Sequence, residues 1–151
     1  MSRFDFDDHF KSTLSRDIAN MVLGDLHGYG STRAIYTHPT DPTLMVKVET
    51  DAGSYNNIME WEVWKSVKDT EFAKWFAPCV QISGTGLVLT MKKCTMATAR
   101  ELPRKVPAFF TDLKAENWGW YEDRFVCLDY GLHLLHEYGL TKRMRVANWE
   151  K

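Results

Sequence analysis

Apolar residues recur along this chain with two periods, one typical of helices and one typical of strands. Near the N-terminus, Phe10, Leu14 and Ile18 recur every four residues, and this spacing places them on one helical face. The pattern predicts a helix over residues 7–22. A second helix is predicted over Asn57–Val67.

The second helix is expected to bury an apolar stripe, and its tryptophans are expected to be core residues. The stripe is formed by Ile58, Trp61, Trp64 and Val67. Asn56 or Asn57 is expected to cap the helix, because an amide oxygen can accept from the free N–H groups of the first turn. A third helical pattern covers residues 132–140.

Short runs rich in β-branched and aromatic residues predict strands between these helices. Gly28–Tyr36 is expected to be a tight turn that leads into a strand, and Leu44–Glu49 is expected to be the next strand. One hairpin is predicted from Phe76–Ser83 and Gly86–Met91. A second is predicted from Asn117–Tyr121 and Arg124–Leu128, with Glu122 and Asp123 at the turn.

Composition limits the size and class of the protein. At 151 residues, with 44% hydrophobic and 13% aromatic residues, the chain can form one packed domain or two small lobes that share a core. The net charge of −1 argues against a nucleic-acid binder held by bulk charge, although a local basic patch remains compatible. Three widely spaced cysteines fit neither a disulfide framework nor a metal pair, so free thiols in a reducing cytoplasm are expected.

The sequence carries no pattern that addresses it to a membrane. The N-terminus lacks the features of a signal peptide, and no apolar run approaches the roughly 20 residues that a membrane span needs. A soluble, cytoplasmic protein without membrane contact is therefore expected.

The residues best suited to chemistry cluster in one stretch. Asp112, Lys114 and Asn117 lie within six residues, and Asp129 follows twelve residues later, directly before Tyr130. The predicted hairpin between Asn117 and Asp129 would bring these two residues together. An amide oxygen and a carboxylate are oxygen ligands of the kind that Mg²⁺ takes.

This stretch resembles the catalytic and metal-binding loops of the protein kinases, in which D-L-K-x-x-N is followed by a hairpin and D-F-G. The resemblance implies that Asp112 is the base that accepts the proton of an incoming hydroxyl. It implies that Lys114 neutralises the γ-phosphate, and that Asn117 and Asp129 hold Mg²⁺.

Residues upstream extend the resemblance in the order that a kinase would have. Gly28 and Gly30 resemble the G-x-G-x-x-G loop over the nucleotide phosphates, with Arg33 in place of the third glycine. Lys47 resembles the strand lysine that holds the α- and β-phosphates of ATP. Glu60 lies thirteen residues later and resembles the helix glutamate that pairs with this lysine. Taken singly, each has a plain alternative: an ordinary hairpin for the glycines, and outward-facing charges for the others.

The resemblance also assigns an adenine end to the nucleotide site. Met91 would guard the back of the pocket, and the main chain from Lys92 to Cys94 would hydrogen-bond the adenine edge. Main-chain contacts carry no side-chain signature, so this assignment follows from position alone.

The implied fold is α+β and protein-kinase-like, in a single domain over residues 1–151. It would comprise an N-terminal helix at about 1–23, and a small lobe over 24–94 with an antiparallel sheet and one main helix. A strongly reduced second lobe would occupy 95–151.

The chain departs from the kinase pattern in several places. Phe110 and Thr111 stand where histidine and arginine usually precede the catalytic aspartate, and Tyr130 replaces a phenylalanine. Phe110 is expected to take over the packing role of the histidine. Only twenty residues follow Gly131, so we expect the part of the second lobe with which a kinase grips a protein substrate to be largely absent.

These features predict a phosphotransferase that uses ATP and Mg²⁺, resembles a Ser/Thr protein kinase, and acts on a protein or a small molecule. The alternative is an inactive kinase-fold protein that binds a host protein or a nucleic acid through two basic clusters. The clusters are Arg100, Arg104 and Lys105, and Lys142, Arg143 and Arg145. An oligomer is compatible with both hypotheses. The small size would suit a phage or another mobile element, and the protein would then act in the host cytoplasm.

Overall fold

The computed structural model describes residues 23–29, 32–50, 55–97, 102–111, 113–131 and 139–149. Outside these ranges lie the predicted helix over 7–22, most of the pattern over 132–140, and Gly30, Arg100 and Asp112. The chain divides into two compact units. One comprises Met1–Trp61 and Cys79–Lys93, and the other comprises Glu62–Pro78 and Cys94–Lys151. The lobe borders expected from the sequence stay a prediction.

The described residues form a mixed α+β protein with mostly antiparallel sheets and one main helix. The first unit contains a five-stranded sheet in the order β1-β2-β3-β5-β4, and all its neighbouring strands are antiparallel. Its strands are β1 (Leu26–Tyr29), β2 (Arg33–Thr37), β3 (Leu44–Glu49), β4 (Cys79–Ile82) and β5 (Val88–Lys92). The predicted strand over Leu44–Glu49 and the predicted hairpin of β4 with β5 are confirmed.

The two faces of this sheet differ in chemistry. One face carries a buried apolar cluster of Ala34, Tyr36, Val46 and Val48. Because side chains alternate between faces along a strand, the intervening residues lie on the other face. On that face Arg33 lies opposite Glu49 of the neighbouring strand, and Lys47 lies opposite Ile35 on one side and Leu89 on the other. The sheet therefore carries Arg33, Lys47 and Glu49 together on the face opposite the apolar cluster.

Helix α1 (Asn56–Val67) has the predicted extent but buries a different stripe. Its most deeply buried positions, spaced three or four residues apart, are Asn57, Glu60, Val63 and Val67. Of the predicted stripe, Val67 is completely buried, as expected. Ile58 is 38% exposed, and Trp61 and Trp64 are only partly buried, so the prediction was wrong at these three positions. Polar residues can occupy the inward positions because ionic and hydrogen-bond partners satisfy them there.

The second unit contains short strands and two short 3₁₀ helices, Glu71–Trp75 and Ala115–Asn117. Its strands are β6 (Thr95–Met96), β7 (Lys105–Pro107), β8 (Trp118–Tyr121), β9 (Arg124–Cys127) and β10 (Met144–Val146). They form a three-stranded sheet, β6-β8-β9, and a two-stranded sheet of β7 with β10.

The hairpin of β8 with β9 confirms the second predicted hairpin. Glu122 and Asp123 connect the strands with φ angles of 48° and 62°, the left-handed conformations that match a two-residue turn to the twist of its strands. The ladder continues beyond β8, because the Leu128 N–H donates to the Asn117 carbonyl at 2.7 Å.

Aromatic side chains fill the interior of the second unit. Phe110 is completely buried, and its ring lies 4.7 Å from those of Phe109 and Trp118 and 5.2 Å from that of Phe76, between centroids. The Tyr130 ring lies edge-on to Phe76 at 5.0 Å. The expected packing role of Phe110 is confirmed.

The structure also bears on two predictions from composition. Cys79, Cys94 and Cys127 form no disulfide bond, as predicted. Within the described ranges, no helix is both long enough and apolar enough to cross a membrane.

Candidate active site

A buried ion pair links the sheet of the first unit to helix α1. Lys47 Nζ donates to Glu60 Oε1 at 2.9 Å, and Lys47 is 6% exposed while Glu60 is completely buried. The predicted pairing of Lys47 with Glu60 is confirmed. Glu62 instead lies on the exposed side of the helix and pairs with Lys65 at 2.8 Å.

Arg33 is a second cation on the same carboxylate. Its Nη1 donates to Glu60 Oε2 and, at 3.1 Å, to Asn57 Oδ1, and Arg33 is only 6% exposed. The sequence prediction treated Arg33 as a missing glycine and overlooked this contact. The strand alternation contained the signal, because β2 and β3 are antiparallel neighbours and Arg33 lies on the face that carries Lys47.

The two cations set the protonation of Glu60. Burial alone would raise the pKa of this carboxyl, but the positive charges of Lys47 and Arg33, with their hydrogen bonds, outweigh it and hold the pKa below its ordinary value of 4.5. Glu60 is therefore ionised at neutral pH.

Asn57 joins helix α1 to the strands beneath it. Its side-chain Nδ2 donates to the Lys47 carbonyl and to the Leu87 carbonyl, both at 3.1 Å, while Oδ1 accepts from Arg33. The residue is completely buried. The amide thus satisfies main-chain carbonyls of the sheet in these contacts, and the sequence pattern suggested only a capping role for it.

Glu49 accepts a hydrogen bond from the first turn of α1, the capping role expected from the sequence for Asn56 or Asn57. Its Oε1 accepts from the Asn57 N–H at 2.6 Å, and a carboxylate at this end of a helix is favoured by the helix dipole. Glu49 is 5% exposed, and in the described structure its Oε2 has no hydrogen-bond partner. The charged face therefore carries two cations, Arg33 and Lys47, and two carboxylates, Glu49 and Glu60.

The predicted phosphate loop lies at the β1–β2 hairpin. Gly28 is in strand β1, where it pairs with Ile35 next to a β-bulge, rather than in the turn. A Cβ added to Gly28 would meet no atom within 4 Å. The fold itself therefore does not require a glycine here, and there is open space beside the backbone.

Residues predicted to border the adenine lie at and after the end of β5. Met91 is buried and pairs with Met45 and Cys79 of the neighbouring strands. Lys92 ends the strand, and Cys94 is half-buried. Between them, the Lys93 N–H donates to the Thr43 carbonyl at 2.8 Å, so this main-chain donor already has a partner within the sheet.

The second unit carries the residues predicted to act on the γ-phosphate and the metal. Leu113 is buried and Lys114 is exposed. Asn117 ends the 3₁₀ helix before β8, and Asp129 follows β9 by two residues. The Leu128 N–H donates to the Asn117 carbonyl. Asp129 directly follows Leu128 in the chain, so Asn117 and Asp129 lie at the same end of the hairpin.

The segment that carries Asp129 is attached to the core on both sides. The Ala77 N–H donates to the Cys127 carbonyl at 2.9 Å, and the Tyr130 hydroxyl donates to the Ala77 carbonyl at 2.8 Å. Tyr130 is completely buried. The hydroxyl that distinguishes it from phenylalanine therefore has a specific partner, which the sequence did not suggest.

Asn117 and Asp129 have the donor chemistry of a magnesium site. Both supply oxygen, both are half-buried, and Mg²⁺ commonly takes only one or two protein ligands and keeps its remaining waters. Within the described ranges, no group of three or more histidine, cysteine, aspartate or glutamate residues could hold a metal ion. A site of one carboxylate and one amide is compatible with that finding.

The described residues of the two basic clusters meet in one surface ribbon. Strands β7 and β10 are antiparallel, and the Ala108 N–H donates to the Arg143 carbonyl while the Ala147 N–H donates to the Arg104 carbonyl, both at 2.8 Å. We call β7, β10 and these flanking residues the basic ribbon. Its exposed cations are Arg104, Lys105, Lys142 and Arg143. Arg145 is an exception, because its guanidinium donates to the Phe110 carbonyl at 2.6 Å.

The sequence matches no protein-family model, and no curated protein matches it. The resemblance to protein kinases therefore rests on the residues named above.

Proposed function

We propose that this protein binds ATP with Mg²⁺ and transfers the γ-phosphate to a serine or threonine hydroxyl. The observation that carries the proposal is the buried pair of Lys47 and Glu60. Burying charges is costly, and a hydrophobic replacement of such a pair is often neutral or stabilising. A lysine kept in this position, on a strand and against a helix glutamate, is the arrangement expected of a phosphate-binding lysine.

Phosphoryl transfer requires positioning and charge neutralisation more than covalent chemistry from the protein. Lys47, oriented by Glu60, would hold the α- and β-phosphates. The exposed ammonium of Lys114 would neutralise the γ-phosphate. Asp112 would accept the proton of the substrate hydroxyl. The substrate oxygen bonds to the γ-phosphorus, and the bond between the γ-phosphorus and the bridging oxygen breaks, so that ADP leaves.

Asn117 and Asp129 would hold the magnesium ion, which supplies charge neutralisation for the phosphates when it is bound. The hydrogen bonds of Ala77 with Cys127 and Tyr130 would keep the Asp129 segment in place. Because both bonds are contacts within the protein itself, one between main-chain groups and one from the Tyr130 hydroxyl, they need no ligand to form.

A thermal-shift titration with ATP and Mg²⁺ tests the binding step. A ligand present at 100 times its dissociation constant stabilises a protein by about 2.7 kcal/mol, so we expect a rise in melting temperature that Lys47→Met abolishes. Lys68→Met, which changes an exposed lysine, is the matched control and should keep the shift. If millimolar ATP with Mg²⁺ leaves the wild-type melting temperature unchanged, the proposed function is wrong.

Radiolabel transfer from γ-labelled ATP tests the chemical step. We expect transfer to the protein itself or to a generic hydroxyl substrate, and its loss in Asp112→Asn. Asp123→Asn, at the exposed β8–β9 turn, controls for the loss of a carboxylate. ATP binding without transfer would leave a nucleotide-binding protein and would contradict the phosphotransferase part of the proposal.

The basic ribbon favours a second candidate function, the binding of an acidic protein segment. On β10, Met144 and Val146 are 42% and 63% exposed. Val146 is the strand partner of Lys105, and Lys142 and Arg143 directly precede Met144 in the chain. Single-stranded nucleic acid is usually held by stacking on aromatic rings, whereas these outward residues are aliphatic. Exposed aliphatic residues on the same ribbon as exposed cations suit a peptide that alternates aliphatic and acidic residues.

Peptide titration with a fluorescent Glu- and Leu-rich peptide tests this candidate. We expect binding that weakens as salt rises, and that is lost in Arg104→Glu combined with Arg143→Glu. Lys68→Glu is the control for a general change in charge. Equal binding by the ribbon variant, or preferential binding of an oligonucleotide, would contradict it.

A further inference from the structure

The buried charges of the first unit raise a question about how Lys47 can serve a ligand. If the Lys47 ammonium turns towards a phosphate, its hydrogen bond to Glu60 weakens or breaks, although Glu60 is completely buried. Removing one member of a buried pair is strongly unfavourable, because the remaining charge is uncompensated. An isolated lysine–glutamate pair would therefore resist the movement that phosphate binding needs.

We infer that Arg33 is a positioning residue that holds Glu60, and thereby frees Lys47 to bind an anion. The inference rests on the proposed function, in which that anion is a nucleotide phosphate. Arg33 contacts Glu60 Oε2, whereas Lys47 contacts Oε1. Each oxygen of the carboxylate thus has its own cation, and loss of one contact leaves the other in place.

Arginine is suited to this position for two reasons. Its guanidinium stays charged at all relevant pH values, and its planar fork fixes the direction of its hydrogen bonds. In this structure the nitrogen that contacts Glu60, Nη1, also donates to Asn57 Oδ1 at 3.1 Å. Arg33 is therefore fixed between two residues that lie one helical turn apart on α1.

The contacts of Asn57 keep helix α1 on the sheet without help from Lys47. The Asn57 side chain donates to the Lys47 and Leu87 carbonyls, and its N–H donates to Glu49. All of these bonds persist if the Lys47 ammonium moves, because none of them uses its side chain. The helix that presents Glu60 is consequently assembled before any ligand arrives.

A double-mutant cycle without ligand tests the role of Arg33. Lys47→Met and Arg33→Met each remove one of the two cations that contact Glu60, and the double variant removes both. We expect the melting temperature of the double variant to fall by clearly more than the sum of the two single shifts. Arg33→Lys should restore much of the single loss. Additive shifts would overturn the inference.

A further variant keeps the test decisive if the double variant does not fold. Arg33→Met, Lys47→Met and Glu60→Met together remove the carboxylate with both cations, and we expect this triple variant to fold. If it stays unfolded, the two cations serve something other than Glu60, and the inference is wrong. Lys65→Met combined with Lys47→Met is the additive control, because Lys65 pairs with the exposed Glu62.

ATP titration then tests the link to ligand binding. In Arg33→Met, Lys47 is the remaining cation on Glu60, so we expect the dissociation constant of ATP with Mg²⁺ to rise about tenfold while the protein stays folded. Unchanged affinity in a folded variant would overturn the link. Failure of the wild type to bind ATP would count against the proposed function, and the ligand-free cycle would still decide whether Arg33 holds Glu60.

Discussion

Replacing Glu60 by glutamine removes a charge and almost nothing else, and its effect follows from the burial of the cluster. The two side chains have nearly the same shape. The substitution leaves Arg33 and Lys47, each 6% exposed, without the carboxylate that neutralises them. The amide can accept from one cation at most, and its NH₂ group faces the other.

The expected loss is a large share of the total stability. Breaking a buried pair by removing one partner costs about 3–5 kcal/mol, and the upper end applies because two cations are left. A domain typically has about 5–15 kcal/mol in all. Glu62→Gln is the matched control, because that side chain is 55% exposed and its pair with Lys65 lies at the surface. A surface pair of this kind contributes at most about 1 kcal/mol.

Urea unfolding followed by tryptophan fluorescence measures both variants. The pH dependence gives a second readout whose sign is fixed by the lowered pKa of Glu60. A carboxyl with a lowered pKa stabilises the fold above its ordinary value, and this contribution is lost as the pH falls through the lower value. The difference between wild type and Glu60→Gln should therefore be constant from pH 6 to 8, and should shrink only below the ordinary value of 4.5.

Two results would refute this reasoning. If Glu60→Gln is no less stable than Glu62→Gln, the buried contacts contribute nothing to folding. If the difference from wild type persists unchanged well below pH 4, it arises from shape and not from charge.

Other substitutions test the supports around the site, each by urea unfolding. Tyr130→Phe should lose about 1–2 kcal/mol, because the buried Ala77 carbonyl loses its hydroxyl donor; no loss would mean that a water replaces the hydroxyl. Gly86→Ala should lose at least about 1–2 kcal/mol, because Gly86 has a φ of 78° and its added Cβ would lie 2.4 Å from Ile58. Asp123→Gly should gain about 0.5 kcal/mol, because glycine adopts the left-handed φ of 62° without strain; a loss would show that the Asp123 side chain stabilises the turn.

Local pattern was sufficient to predict several elements of the fold. Leu44–Glu49 is an apolar, β-branched run that contains one lysine, and the strand has the predicted bounds. The hairpin around Glu122 and Asp123 was predictable because two polar residues separate two aromatic-rich runs. The pairing of Lys47 with Glu60 was predictable only through the resemblance, since spacing alone does not show which helix glutamate points inward.

The errors arose where polar residues take inward positions. A hydrophobic stripe placed Ile58, Trp61 and Trp64 inside, whereas the helix buries Asn57 and Glu60. Periodicity ranks residues by apolarity, and it cannot register that an amide meets two main-chain carbonyls or that a carboxylate meets two cations.

The sequence by itself determined the local elements and the chemistry available to them: the strands, the helix, the hairpin, and the acids, amide and lysines that resemble a kinase site. Tertiary structure alone decided which charges share one partner. Arg33 and Lys47 meet on Glu60 because strand register places them on one face, and two basic segments some forty residues apart meet because β7 pairs with β10. Strand pairing over long distances depends on the packing of the whole chain, and no local pattern of residues encodes it.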